Sequence, residues 1–69
     1  MPLNLIGQGN KAFVKRVSGD MDVRRFLENL GFIAGTEVTL ISSIGGNVIV
    51  GVKDSRVAIN SEMARHILV

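Results

Sequence analysis

Cysteine, tryptophan and tyrosine are absent from this sequence, and proline occurs once. Without cysteine the chain can form neither a disulfide nor a thiolate metal site, which suits the reducing cytoplasm. No run of about 18 uninterrupted apolar residues is present, so the sequence predicts no membrane span. The opening stretch MPLNLIGQGNKAF lacks the basic start and long apolar run of a signal peptide. We therefore expect a soluble, cytoplasmic protein.

Residues for catalysis are also sparse. The sequence has one histidine, His66, and no Gly-x-Ser-x-Gly motif. The stretch GQG at residues 7–9 is followed by a strand pattern rather than a helix, so it indicates a turn and not a phosphate-binding loop. A substrate pocket would compete with the small core. We predict no catalytic residues, no cofactor, no metal site within one chain, and a protein that is not an enzyme.

Positive charge is in slight excess, with eight Lys and Arg against six Asp and Glu and a net charge of +2. A nucleic-acid-binding domain normally concentrates positive charge far more strongly. Bases also stack on aromatic side chains, and here there are three Phe, of which we assign Phe26 to a buried helical stripe. A solvated face is the simpler interpretation of the basic residues, and we predict no nucleic-acid partner. These basic residues are Lys11, Lys15, Arg16, Arg24 and Arg25.

The apolar residues, in contrast, are abundant enough for one compact core. They make up 46% of the 69 residues, and a chain of this length forms a single domain spanning residues 1–69. The segment KAFVKRV (Lys11–Val17) predicts one strand. In that strand Ala12 and Val14 would lie on one face, with Phe13 and Val17 on the other.

A helix is predicted next by a periodic apolar stripe. The stripe consists of Val23, Phe26, Leu27 and Leu30, at spacings of three and four residues. Ser18 or Asp20 can cap the start, with Asp22 near the positive end of the helix dipole. Gly31 follows immediately, where a left-handed residue commonly ends a helix.

After the helix the apolar period changes to two. TEVTLISSI predicts a strand with Val38, Leu40 and Ile44 on its buried face, and Gly45–Asn47 predicts a hairpin turn. NVIVGV and RVAI predict two further strands separated by a KDS turn, with Gly51 marking a bulge or bend.

The last segment, SEMARH, predicts a short helical turn capped by Asn60 or Ser61, and ILV predicts a closing strand. Five short strands with hairpin turns favour a small barrel over an open sheet. The predicted fold is therefore mainly β: a small β-barrel with an inserted α-helix and a short C-terminal helical turn.

Two surfaces are candidates for binding a partner. The first is the polar helix face formed by Arg24, Arg25 and Glu28. The second is a groove between the hairpin tip at Gly45–Gly46 and the KDSR turn. The sequence does not choose between them.

Two other functions stay open at this stage. One is a metal sensor in which oligomerisation brings His66 together with carboxylates. Within one chain, Asp20, Asp22 and Glu28 are close enough in sequence to suggest an oxygen-ligand site, but a helix cap at Asp20 is the simpler interpretation. The other is a small nucleic-acid-binding barrel, whose affinity would fall steeply with salt.

The order and spacing of the elements resemble the FeoA family. The resemblance covers PLNLIGQGNKAFVKRVSGD, RRFLENLGFIAGTEVTLI and GNVIVGVKDSRVAINSEMARHILV, essentially the whole chain. The residues that carry it most specifically are Leu27, Leu30, Gly31, Gly35, Thr36, Val38, Ala64, Ile67 and Val69.

This resemblance implies a fold and a role. The implied fold is an SH3-like β-barrel with an inserted helix. The implied role is that of a cytoplasmic accessory protein of bacterial ferrous-iron uptake. Its expected partner is the FeoB membrane transporter, which carries a cytosolic GTP-binding domain, so its contact with the membrane would be indirect. The SSIGGN loop lacks the proline often found in the family, and Asn60 stands where a basic residue is frequent.

Overall fold

The computed structural model describes all 69 residues and contains six β-strands, two α-helices and one 3-10 turn. In chain order they are the 3-10 turn Leu3–Leu5, β1 Lys11–Phe13, β2 Arg16–Val17, α1 Met21–Asn29, β3 Glu37–Ile44, β4 Asn47–Val52, β5 Ser55–Asn60, α2 Ser61–Ala64 and β6 Ile67–Leu68. The mainly β fold with one inserted helix and a short C-terminal helix is confirmed.

The strands form two antiparallel sheets. One has four strands in the order β1-β3-β4-β5, and the other pairs β2 with β6. The single strand predicted over Lys11–Val17 was wrong, because the chain changes sheets in its middle. The Val14 amide donates to the Thr36 carbonyl at 2.9 Å, whereas the next amide, of Lys15, donates to the Leu68 carbonyl at 2.7 Å. One continuous strand cannot serve both sheets at this corner.

A β-bulge in β3 changes which side chains reach the core. Leu40 pairs with Val50, but the following pair is Ser42 with Ile49, so Ile41 is an extra residue. The bulge shifts the alternation by one position, and Ile44, predicted inside, is 74% exposed. Gly51, predicted to mark a bulge or a bend, is not at the bulge. It pairs regularly with Thr39, and the Ile41 side chain occupies the space beside it.

The predicted hairpin turn is confirmed at Gly45 and Gly46. Their φ angles are +56° and +81°, the left-handed values that a two-residue turn between twisted strands requires. The turn is tied to the rest of the molecule by the Ser61 amide, which donates to the Gly46 carbonyl at 2.9 Å.

Helix α1 begins and ends at residues that the sequence indicates. The Asp20 carboxylate accepts a hydrogen bond of 3.0 Å from the Val23 amide, so Asp20 is the N-cap. At the other end Gly31 has a φ of +109°. Its amide donates to the Glu28 carbonyl, and the Phe32 amide donates to the Leu27 carbonyl. This pair of bonds is a Schellman motif, and it turns Phe32 back towards the core.

The core is formed by twelve buried residues, all apolar, drawn from nearly every element. They are Leu3, Val14, Leu27, Phe32, Val38, Leu40, Val48, Val50, Val52, Ile59, Ala64 and Ile67. Phe26 was predicted to be buried and is 47% exposed. It lies about 100° of helical rotation from Leu27, at the margin of the stripe, and so faces away from the barrel.

The C-terminal segments complete the fold and pair with the first residues of the chain. Asn60 caps α2 by accepting a bond of 2.8 Å from the Met63 amide. Strand β6 then pairs with β2, as the predicted closing strand. The Val69 amide also donates to the Met1 carbonyl at 2.8 Å, which joins the two ends of the chain.

Candidate functional site

The polar face of α1 is fixed in direction by the residues that anchor the helix. Leu27 is fully buried, and a Cβ atom added at Gly31 would come within 3.3 Å of a Val52 methyl group, so the helix end lies close against β4. Arg24, Arg25 and Glu28 are all exposed. None of the three forms an ion pair, since the salt bridge in this molecule joins Arg65 to Glu62. These charges are therefore free to meet a partner.

Exposed apolar side chains lie on the same segment. Met21 is 62% exposed, Phe26 47% and Ile33 49%. The exposure of Phe26 was not predicted from the sequence, because Phe26 was assigned to the buried stripe. The signal that could have found it is the rotation of about 100° per residue, which places Phe26 at the margin of the stripe centred near Leu27. An interface typically combines such apolar side chains with a polar rim. We call Met21, Arg24, Arg25 and Glu28, which fall within about 100° of helical rotation, the α1 surface. Phe26 lies about 160° of rotation from Arg24, and Ile33 follows the end of the helix.

The second predicted surface is not a single groove. Gly45 and Gly46 lie at the Asn47 end of β4, and the KDSR turn lies at the Val52 end. Six residues of strand separate the two turns by roughly 17 Å. The structure therefore brings neither the two turns together nor the hairpin tip to the end of α1, which packs near Val52.

A concave groove does exist on the outer face of the four-stranded sheet. Its volume is about 560 Å³, and Gly51 and the Ile41 side chain beside it are among the lining residues. The lining is almost entirely polar, with three basic and two acidic side chains. The lining residues are Lys11, Thr36, Glu37, Thr39, Ile41, Gly51, Lys53, Asp54, Ser55 and Arg56. This groove includes the KDSR turn but not the hairpin tip.

The sole histidine lies between α2 and β6. His66 Nδ1 is 3.2 Å from Ser18 Oγ, and the Ser18 amide donates to the His66 carbonyl at 2.7 Å. Ser18 thus holds His66 beside the start of α1, while Asp20 serves as the helix cap. The structure forms no cluster of three or more His, Cys, Asp or Glu side chains. Asp20, Asp22 and Glu28, which were considered as an oxygen-ligand site and set aside in favour of a cap at Asp20, do not form such a cluster.

The two α-helices and the 3-10 turn are all too short and too polar to cross a membrane. A comparison with protein-family models gives one match, to the FeoA domain, over residues 1–69. The chain belongs to the FeoA family. The match spans all six strands and both helices, so the family resemblance expected from the sequence is confirmed.

Solved FeoA structures have the same architecture as this FeoA-family chain. A crystal structure of an iron uptake regulatory protein, FeoA, is 28% identical with a TM-score of 0.88, covering 97% of this chain and 91% of the other. FeoA of Stenotrophomonas maltophilia, solved in complex with zinc, is 27% identical with a TM-score of 0.86, covering 99% and 87%. That protein is described as a procaryotic SH3 domain protein and a candidate activating factor of bacterial ferrous iron transport. The SH3-like fold is therefore confirmed.

The fold also occurs in a larger protein. A manganese-dependent transcriptional repressor matches 97% of this chain with a TM-score of 0.87 at 20% identity, and this chain spans 39% of it. At that identity the likeness concerns the fold alone. No curated protein sequence matches the chain.

Proposed function

We propose that this FeoA-family protein is a non-enzymatic, cytoplasmic accessory protein that binds a FeoB-type ferrous-iron transporter and modulates its activity. The observation that carries the proposal is the family match over residues 1–69. The S. maltophilia relative, described in connection with ferrous iron transport, supports the same role. In this proposal the partner surface of the transporter is its cytosolic GTP-binding domain.

The α1 surface is our first candidate for the contact. Its charges carry no ion pair that would have to be broken on binding, and the exposed Met21 side chain supplies apolar area to remove from water. Its direction is fixed by a capped helix with a buried anchor, so little ordering is needed on association. The hairpin tip at Gly45–Gly46 is the second candidate, held in place by Ser61.

The test is a titration of isotope-labelled protein with the cytosolic domain of a FeoB-type transporter, with and without guanine nucleotide. We expect amide shifts to concentrate on α1 and its flanks. Arg24→Glu combined with Arg25→Glu should weaken the affinity by at least about tenfold, because rim charges that match a partner are reversed. Arg65→Glu is the control for charge reversal elsewhere, since Arg65 is an exposed arginine at the C-cap of α2.

The positions of the amide shifts distinguish the α1 surface from the hairpin tip. Shifts confined to the Gly45–Gly46 turn, with the α1 variant unchanged in affinity, would move the site to the hairpin tip. An absence of shifts at high concentration in both nucleotide states would refute binding to this domain of the transporter.

A further inference from the structure

One long edge of the four-stranded sheet has no backbone partner. Strand β5 pairs with β4 on one side, and no strand pairs with its other side. Val52 and Ser55 flank the two-residue turn and face each other, so they form a hydrogen-bonded pair. By alternation the backbone N–H and C=O groups of Arg56 and Ala58 point away from β4. No turn, loop or side-chain hydrogen bond involves Arg56 or Ala58.

This edge has little of the usual protection against strand addition. Proteins block such edges with very short strands, charged side chains and especially lysine, proline, bulges, or a covering helix or loop. The opposite edge of the same sheet, β1, has three residues and carries Lys11. In contrast β5 has six residues, regular pairing with β4, a single charged residue, Arg56, and neither lysine nor proline. An edge of this length with one charge is a template for an extended chain of opposite charge.

The outer face beside this edge is positively charged at its rim. Arg56 lies on β5 itself, and Lys53 lies in the turn before it, both exposed and without an ion pair. Together with Lys11 they line the groove over Gly51, where Glu37 and Asp54 also lie. The side chain nearest the edge is therefore an unpaired arginine. Ala58, the next outward-facing residue on β5, is small and leaves space beside it.

We propose that the free edge of β5 binds an extended, acidic segment of a partner protein, which adds a fifth strand to the sheet. The backbone of Arg56 and Ala58 would supply the hydrogen bonds. A carboxylate on the outer face of the added strand would lie beside the Arg56 guanidinium. This binding mode takes affinity from main-chain bonds and specificity from alternate side chains. The proposal does not depend on the transporter.

A second copy of this chain fits the edge less well. The two edge strands of the four-stranded sheet, β1 and β5, contain Lys11 and Arg56 and no carboxylate. Pairing β5 with the β1 of a second copy would place these like charges on neighbouring strands. Pairing β5 with itself would leave Arg56 opposite Ala58 or Asn60, again with no acidic partner. Charge complementarity therefore favours an acidic segment from another protein.

The test uses a synthetic peptide of alternating valine and glutamate, Thr-Val-Glu-Val-Glu-Val-Thr, and isotope-labelled protein. We expect amide shifts at β5, with Arg56 and Ala58 becoming protected from hydrogen exchange on binding. In the free protein these two amides should exchange far faster than those of Val57 and Ile59, which bond to β4. A peptide with lysine in place of glutamate is the matched control.

Two variants test the main-chain hydrogen bonds and the charge contact separately. Ala58→Pro removes an outward N–H that bonds nothing in the protein, and proline is tolerated at such edge positions. It should lower the peptide affinity by at least about tenfold, whereas Ala58→Ser should not. Arg56→Glu should reverse the preference, so that the lysine peptide binds more tightly than the glutamate peptide. This second variant decides the question if Ala58→Pro does not fold.

Three results would overturn the proposal. The first is an absence of shifts at β5 with the glutamate peptide up to roughly 1 mM. The second is equal binding of the glutamate and lysine peptides. The third is protection of the Arg56 and Ala58 amides in the free protein, with sedimentation of a dimer, which would show that a second copy already occupies the edge.

Discussion

The two phenylalanines on either side of Gly31 differ in burial, and the difference depends on their positions relative to the helix end. Phe26 follows the helical period and is nevertheless half-exposed, while Phe32 lies outside the helix and is completely buried. The reason is the Schellman motif, in which the Phe32 amide bonds to the Leu27 carbonyl and the chain turns back on itself. The helical period stops at Gly31, so the pattern could not predict the burial of Phe32.

Phe32→Ala is expected to unfold the protein or nearly so. Removing a buried phenylalanine costs about 3–5 kcal/mol, and a chain of 69 residues has a total stability of roughly 3–10 kcal/mol. The measurement is the urea midpoint followed by circular dichroism. The same substitution at Phe26, which is 47% exposed, should change the stability by about 1 kcal/mol or less. Equal losses for the two variants would contradict the assigned burial.

At the scale of elements, helix ends, turns and the first part of β3 were predictable, whereas the alternation beyond the bulge was not. Asp20, Gly31 and the Gly45–Gly46 turn act through bonds or φ angles within a few residues of themselves. Ile44, however, depends on the extra residue at Ile41. A bulge is a relation between two strands, and the sequence of β3 alone reads as regular alternation.

Asp20→Ala should destabilise the protein by about 1 kcal/mol, because the Val23 amide loses the carboxylate that caps α1. Asp20→Asn should restore most of this loss, since its side-chain oxygen can accept the same bond. The check is thermal unfolding of both variants beside the unmodified protein. Were Asn as destabilising as Ala, the charge of Asp20 would matter more than its hydrogen bond.

At the scale of the whole molecule, one core joins the two ends of the chain. Leu3, in the 3-10 turn, and Ile67, in β6, are both completely buried in it. Met1 and Val69 are joined by two backbone hydrogen bonds, including one from the terminal amino group. We therefore expect residues 1–69 to unfold as one cooperative unit. This is the behaviour that the prediction of a single domain requires.

Leu3→Ala should lower the stability of the entire molecule by about 2–5 kcal/mol, although Leu3 lies near one end of the chain. The amide signals of α1 and β5 should then disappear at the same, lower urea concentration. Leu5→Ala is the matched control, because Leu5 is 64% exposed and should be almost neutral. Loss of signals near the first residues alone would show that this segment is not part of the cooperative unit.

The sequence by itself determined the type of most elements, the hairpin turn and the family, and it narrowed each helix cap to two residues, since each depends on local spacing or on element order. The tertiary structure decided which strands share a sheet, where Ile44 and Phe26 point, and that the hairpin tip lies far from the KDSR turn. It also decided that β5 keeps a free edge. These properties depend on pairing between segments distant in the chain, so no pattern within a single segment contains them.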